Sequence, residues 1–256
     1  MFITIPITIP ITTPSTTPPA AATRIVIVTG GTSGIGAGVS RVLAAVGWQV
    51  FAATASRVEI ESFEATAGIT PVFMDVTDQA SVDGALAAIE GDLAGLVNCA
   101  GIIQRGGAEF QIDAFRQTLE VNLVGTMRMC LAVKPRLAAG AAIVNMASML
   151  STFGSAAAPG YSASKGGVVQ LTKSLAAAWA PDLVRVNAVA PGWINTPLTQ
   201  PLQDDEARSA PILQRTPMRR WGQAEEIGAV VRFLLSEEAR FMTGAVVPVD
   251  GGYSAV

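Results

Sequence analysis

Apolar residues along the chain fall into short unbroken runs, separated by longer stretches where they recur every three or four positions. The unbroken runs are RIVIVT (24–29), WQVFAAT (48–54), PVFMD (71–75), AGLVNC (94–99), AAIVNM (141–146), LVRVNAV (183–189) and AVVPVD (245–250). Continuous rather than alternating apolarity predicts strands buried on both faces. Helical spacing occupies 34–47, 78–90, 111–137, 160–180 and 223–236. Strands and helices in alternation predict an α/β fold, with seven parallel strands doubly wound by helices on both faces. No shift in composition divides residues 23–256, so they are read as one domain.

Residues 1–22, MFITIPITIPITTPSTTPPAAA, break this pattern with a repeated Ile-Thr-Ile-Pro, five prolines and no charge. The prolines forbid a helix, while Ile and Thr favour extended backbone. A secretory signal has a basic start and an unbroken apolar centre, and this stretch has neither, so it is expected to be a tail outside the fold.

Composition narrows the function. The 256 residues carry a net charge of −3, which gives no electrostatic footprint for nucleic acid. Mean hydropathy is +0.44, yet Gly, Pro or charge interrupts every apolar stretch short of the ~20 residues that span a bilayer, so no membrane partner is expected. Only 14% of residues are charged, against roughly 25% in ordinary domains, which predicts burial between subunits. Two cysteines, Cys99 and Cys130, cannot staple a fold and point to a reducing compartment, the cytoplasm. There is no histidine. Ser-His-Asp and Cys-His nucleophiles are thereby excluded, along with most zinc sites, and no metal is expected. Acid–base chemistry near neutrality falls to Asp, Glu, Lys, Cys or one of two tyrosines, Tyr161 and Tyr253.

Two segments carry candidate chemistry. The first strand runs into Thr29-Gly30-Gly31-Thr32-Ser33-Gly34-Ile35-Gly36, and a helix follows. Glycines there allow a tight turn and close approach of backbone to a diphosphate at the helix N-terminus. The end of the second strand, Ala53-Thr54-Ala55-Ser56-Arg57, has no carboxylate to select an unphosphorylated ribose. Arg57 is the nearby cation, or simply the start of the next helix; NAD(H) and NADP(H) both stay open, with the balance on NADP(H). In Pro159-Gly160-Tyr161-Ser162-Ala163-Ser164-Lys165, Tyr161 and Lys165 lie four apart and share a helix face. An adjacent ammonium favours the phenolate, which would make Tyr161 an acid–base group; a Tyr that merely caps the helix is the alternative.

Together these segments resemble the short-chain dehydrogenase/reductase family, built on one Rossmann-like domain. TGGTSGIG (29–36) matches its cofactor motif, and NCAG (98–101) its Asn-Asn-Ala-Gly, with Cys99 replacing the second Asn. Asn122 in VNLVG, Ser148 in NMAS, YSASK (161–165) and PGWINTP (191–197) complete the ordered match over about 23–256. The resemblance implies that Tyr161 moves the alcohol proton and Ser148 hydrogen-bonds the substrate oxygen. Lys165 would bind the nicotinamide ribose and lower the Tyr161 pKa, and Asn122 would hold a water that relays protons. Gly30, Thr32, Ser33, Gly34, Ile35 and Gly36 would take the diphosphate side, with Thr54 and Arg57 at the adenosine ribose. Asp75 and Val76 would border the adenine, Asn98 would support the central strands, and Asn98, Ala100 and Gly101 would count with the cofactor side. Pro191, Gly192, Ile194 and Thr196 would lie against the nicotinamide. Cys99 is read as a packed strand residue.

The implied reaction interconverts a secondary alcohol and a ketone on a small molecule such as a polyol, sugar or sugar acid. Gln104, Leu150 and Trp193 would join Ser148 and Tyr161 around it. Gln104 and Arg105 could meet hydroxyls or a carboxylate; an arginine idle at the pocket mouth is the equal alternative. Four prolines between 195 and 220 suggest a lid. A 3-oxoacyl-carrier-protein reductase is the rival enzyme, and a nucleotide-binding sensor or scaffold the rival outside catalysis. A homotetramer is expected, since the family pairs helices 111–137 and 160–180 about a two-fold axis. Gly166, Gly167, Val168, Leu171, Leu175 and Ala178 would form the face; the alternative is that Gly166 and Gly167 merely admit the nicotinamide or a neighbouring strand within one subunit.

Overall fold

The computed structural model describes residues 24–256; the predicted tail, residues 1–22, lies outside them. Seven strands form one parallel sheet: β1 (Ile25–Thr29), β2 (Gln49–Thr54), β3 (Ile69–Phe73), β4 (Leu93–Asn98), β5 (Leu137–Met146), β6 (Arg185–Pro191) and β7 (Val246–Val249). Their order is β3-β2-β1-β4-β5-β6-β7, the predicted doubly wound arrangement. In β1 every side chain is buried, as its unbroken Ile/Val run requires.

Helices α1 (Gly34–Ala44) and α9 (Ala224–Leu235) cover one face; α3 (Gln79–Ala87), α5 (Gly125–Val133) and α6 (Pro159–Trp179) cover the other. The first pair packs closely because Gly38 faces Ala224: a Cβ on Gly38 would sit 2.4 Å from the Ala224 Cβ. The remaining helices are α2 (Arg57–Glu61), α4 (Ile112–Leu119), α7 (Gln200–Gln203) and α8 (Glu206–Arg215).

Several boundaries differ from the pattern-based expectation. The stretch 111–137 is not one helix: α4 passes through a π-helical turn, Glu120–Val124, into α5. Pro135 in the 3₁₀ turn Lys134–Arg136 then ends it, because proline lacks the N–H a continuing helix needs. Strand β3 starts two residues before the expected 71, placing Pro71 inside a strand. The edge position makes that tolerable. Strand β5 begins at Leu137, where exposed Ala139 and Gly140 hid it from a search for apolar runs. The expected lid region contains α7 and α8.

Candidate active site

Strand β1 pairs with β2 on one side and β4 on the other. The chain winds in opposite directions from this point, and the crevice beyond the strand ends is where such sheets take ligands. Gly30 and Gly34 occupy left-handed backbone, at φ 63° and 52°. A Cβ on Gly36 would lie 2.0 Å from the Gly30 carbonyl oxygen, so only glycine closes the turn. Ser33 makes no side-chain cap to α1, and no acidic residue stands in its first turn. The first N–H groups of α1 therefore remain unclaimed, which fits a diphosphate.

Gly30, Ser33, Gly34, Ile35 and Gly36 line one wall of the cleft, facing Ala100 and Gly101, with Tyr161, Lys165 and Thr196 at the far end. The near end continues past Thr54, Asp75 and Val76. The Asp75 carboxylate accepts from the N–H and hydroxyl of Thr77, at 2.9 and 2.7 Å, which holds the loop after β3.

Pro159 opens α6, a first-turn position that suits its fixed φ and missing donor. This start orients Tyr161 and Lys165 toward the cleft. Lys165 is buried; its Nζ donates to the Met146 carbonyl at 2.7 Å and lies 5.6 Å from the Tyr161 ring centre. Burial lowers its pKa to about 8, against an opposite pull from Cys99. Ser148 follows β5 and accepts from the Leu150 N–H at 3.1 Å.

The Tyr161 phenol is pushed above its ordinary range, chiefly by burial. The Ser148 hydroxyl acts the other way, and the charge of Glu109 adds to the rise. The expected lowering by Lys165 is not what acts on the phenol here: desolvation dominates, and the opposing pull comes from Ser148. Asn122 lies in the π-helical turn. Its Oδ1 accepts from the Ile102 N–H at 2.8 Å, and its Nδ2 donates to the Ile102 carbonyl and the Ser164 hydroxyl at 2.9 and 3.0 Å. It pins the loop after β4 to α6.

Other anticipated residues fall elsewhere. Asn98 does not line the cleft: it is buried behind it, donating to Asn145 Oδ1 at 2.9 Å and tying β4 to β5. Arg57 stacks over Phe73, 4.3 Å from the ring centre, outside the cleft wall. Thr32 is also absent from the wall and bonds Glu59 instead.

Glu59, unanticipated, stands where a carboxylate was thought missing, receiving the Thr54 hydroxyl at 2.7 Å as well. The Ser56-x-x-Glu59 spacing was its available signal, since Ser56 caps α2 by accepting from the Glu59 N–H. Arg128, also unanticipated, donates to the Val76 carbonyl and to Glu120, fixing the cleft wall at Val76. Cys99 is a packed thiol whose pKa burial pushes up to about 12.

Beyond Tyr161 a cavity of about 280 Å³ opens among Gln104, Ser148, Leu150, Trp193, Leu202 and Arg208. Pro191, Gly192, Ile194 and Thr196 border it next to the dinucleotide cleft. Gln104 donates its side-chain amide to Gln117 at 2.8 Å, and Arg105 donates to the Leu198 carbonyl at 2.7 Å, bridging to the α7 segment. Trp193 packs edge-on to Trp221, its indole N–H without a partner among the described residues.

Part of the α6 stripe expected to meet another subunit is used within the chain. Val168 and Leu175 belong to the core of this chain, and Gly167 leaves room for Leu123, 2.7 Å from where its Cβ would lie.

The comparisons agree with this geometry. A family model described as enoyl-(acyl carrier protein) reductase matches residues 30–254. The chain is 38% identical over 239 residues to the 2-dehydro-3-deoxy-D-gluconate 5-dehydrogenase of Bacillus subtilis (strain 168), covering 90% of this chain and 94% of that one. It is 40% identical over 249 residues to the cis-4-hydroxycyclohexanecarboxylate dehydrogenase of Sinomonas cyclohexanicum, covering 93% and 99%. A variant of actinorhodin polyketide ketoreductase solved with NADPH superposes with a TM-score of 0.85 at 30% identity, covering 91% and 98%. The chain belongs to the short-chain dehydrogenase/reductase family.

Proposed function

We propose that the protein is an NAD(P)(H)-dependent oxidoreductase that interconverts a secondary alcohol and a ketone on a small hydroxy acid, a sugar acid above all. The observation carrying this reading is one cavity that has Ser148 and Tyr161 at its base and Arg208 in its wall. Among the described residues Arg208 has no ion-pair partner, so its guanidinium is free to meet a carboxylate. The relatives named for a gluconate and a carboxylate support the same class.

Bound nicotinamide dinucleotide would supply the hydride acceptor or donor. Gly30, Ser33, Gly34 and Ile35 would hold its diphosphate, Asp75 and Val76 its adenine, and Ile194 and Thr196 its carboxamide. Lys165 would hold its nicotinamide ribose. In alcohol oxidation Tyr161 Oη takes the hydroxyl proton, and in ketone reduction it returns one. Ser148 donates a hydrogen bond to the substrate oxygen. The apolar walls at Leu150, Trp193 and Leu202 exclude water.

The test is a panel of sugar acids, cyclic hydroxy acids, neutral polyols and β-ketoesters, each assayed with both cofactors by nicotinamide absorbance. Turnover of hydroxy or keto acids at least about tenfold above neutral polyols supports the reading, the margin expected of one charge-assisted contact. Preference for β-ketoesters replaces it with the carrier-protein reductase.

The working unit is proposed to be a cytoplasmic homotetramer. Exposed Phe110, Ile112, Val124 and Leu131, at 67%, 61%, 41% and 53%, support a contact on the α4–α5 side. Light scattering giving the mass of one 26.4 kDa chain would exclude it.

A further inference from the structure

Between β4 and α4 runs Arg105-Gly106-Gly107-Ala108-Glu109. Gly106 and Gly107 both have positive φ, 66° and 80°. Two consecutive left-handed residues fold the loop back, and the 3₁₀ turn Ala108–Phe110 that follows sends Glu109 inward. Glu109 is 1% exposed, and among the described residues it has no ion-pair partner.

Both its oxygens are nevertheless satisfied. Oε1 accepts from the Gln104 N–H and Oε2 from the Tyr161 N–H, each at 2.9 Å. Gly160 leaves the space: a Cβ there would stand 3.4 Å from Oε2 and 3.2 Å from the Phe115 ring. A buried carboxylate without a cation is costly unless hydrogen-bonded, and an acceptor at the first turn of α6 also meets the positive end of that helix. One carboxylate thus joins the backbone of the substrate loop to the backbone of the residue bearing the phenol.

We propose that Glu109 is a positioning residue for the reaction, clamping the Gln104 segment of the substrate loop to Tyr161 so that cavity wall and proton carrier hold one geometry. This rests on reading Tyr161 as the acid–base group. Glu109 also acts on the phenol electrostatically. The groups facing Tyr161 are Ser148 from the end of β5, Lys165 on its own helix with Cys99 beside it, Glu109, and Arg105 and Arg208 across the cavity. Of these, Glu109 is the buried carboxylate, and its charge disfavours the phenolate.

Glu109→Gln and Glu109→Asp separate the two effects. Gln keeps the size but loses the charge, and its amide turns a donor toward one of the two N–H groups. Its kcat should fall about 10- to 100-fold, as small misplacements do. The limb on which alcohol oxidation rises with pH should move to lower pH, because the phenolate forms more easily. Asp keeps the charge but is too short to reach both donors, so kcat should fall with the pH limb unmoved. Cofactor affinity should stay unchanged in both. A merely structural role would lower the melting temperature and leave kcat and pH profile of the folded fraction intact; that result overturns the proposal.

Hydrogen exchange on the unaltered protein tests the clamp without assaying activity or requiring a variant to fold. The Gln104 and Tyr161 amides should exchange more slowly than those of Gly106 and Gly107. Fast exchange at Gln104 or Tyr161 overturns the clamp whatever the substrate proves to be. Slow exchange in a protein inactive on the whole panel would fault the functional reading instead.

Discussion

The two ends of the cleft are built from different materials. At the dinucleotide end the wall is backbone: Gly30 and Gly36 turn the chain where a methyl group would strike main-chain atoms, and Gly34 takes left-handed backbone. At the substrate end the wall is side chains on the loop after β4 and on α7 and α8, held by single bonds such as Arg105 to the Leu198 carbonyl. Hard-sphere contact leaves one residue type possible, whereas a side-chain wall accepts many. The first end is therefore common to many chemistries, and the second can change substrate without disturbing it.

The largest effect expected from this division lies where the two ends meet. Tyr161→Phe keeps the packed ring but removes the hydroxyl proposed to move the proton, so turnover should fall by about 10³-fold. Cofactor affinity, measured by fluorescence titration, should change less than about twofold, since one neutral hydroxyl contributes little beside the diphosphate turn. Residual activity within tenfold of the parent would remove Tyr161 from the mechanism. In the parent, oxidation should strengthen with rising pH as the phenol loses its proton. Reduction, which needs the phenol protonated, should weaken over the same alkaline range.

Glycines give the comparison a stability readout. Gly36→Ala forces a Cβ against the Gly30 carbonyl; it should destabilise by about 1–3 kcal/mol or more and abolish cofactor binding. Gly154→Ala in the substrate half meets open space, and it should change stability by less than about 0.5 kcal/mol. Urea unfolding of the two variants checks the contrast. Equal losses would mean the ends differ less in rigidity than their contacts indicate.

The same difference explains what could be read from the sequence. Seven apolar runs and the Gly-rich turn are local patterns, and the strands and the dinucleotide wall followed from them. The phenol–lysine pair followed from helix periodicity. Glu109, Glu59 and Arg128 left little trace, because each acts across the fold: Glu109 reaches Tyr161 over 52 positions, Glu59 reaches Thr32 over 27, and Arg128 reaches Val76 over 52. Asn98 ties the central strands and does not line the cleft, for the converse reason. Its motif position is next to the cleft, but strand alternation turns its side chain into the core toward Asn145. On α6, periodicity marks an apolar stripe without saying which partner covers it, and Val168 and Leu175 of that stripe are buried within this chain.

On the substrate side, Arg208→Ala should raise KM for hydroxy acids by about tenfold, one charge-assisted contact, and leave neutral polyols unchanged. Steady-state kinetics on both substrate classes reads this directly. An equal rise for both would assign Arg208 to the shape of the α8 wall rather than to a carboxylate.

The smallest effect concerns the adenosine end, where a side chain intrudes on the backbone wall. Burial tends to raise the Glu59 pKa, but the Thr32, Thr54 and Ser33 hydroxyls outweigh it and hold the carboxyl below its ordinary range. It is therefore ionised at neutral pH, in the same wall as Thr54 and Ser56. A phosphate on the adenosine ribose would be repelled there, while a bare hydroxyl would donate to it. Glu59→Gln retains an acceptor for the two threonines and removes the charge. NADP(H) affinity should rise by about three- to tenfold, a shift suited to a partly exposed charge screened by water, and NAD(H) affinity should move less. Titrating both cofactors at low and high salt measures it, with the NADP(H) gain shrinking as salt rises. Equal changes for the two cofactors, or a gain indifferent to salt, would show that Glu59 braces α2 without reading the ribose.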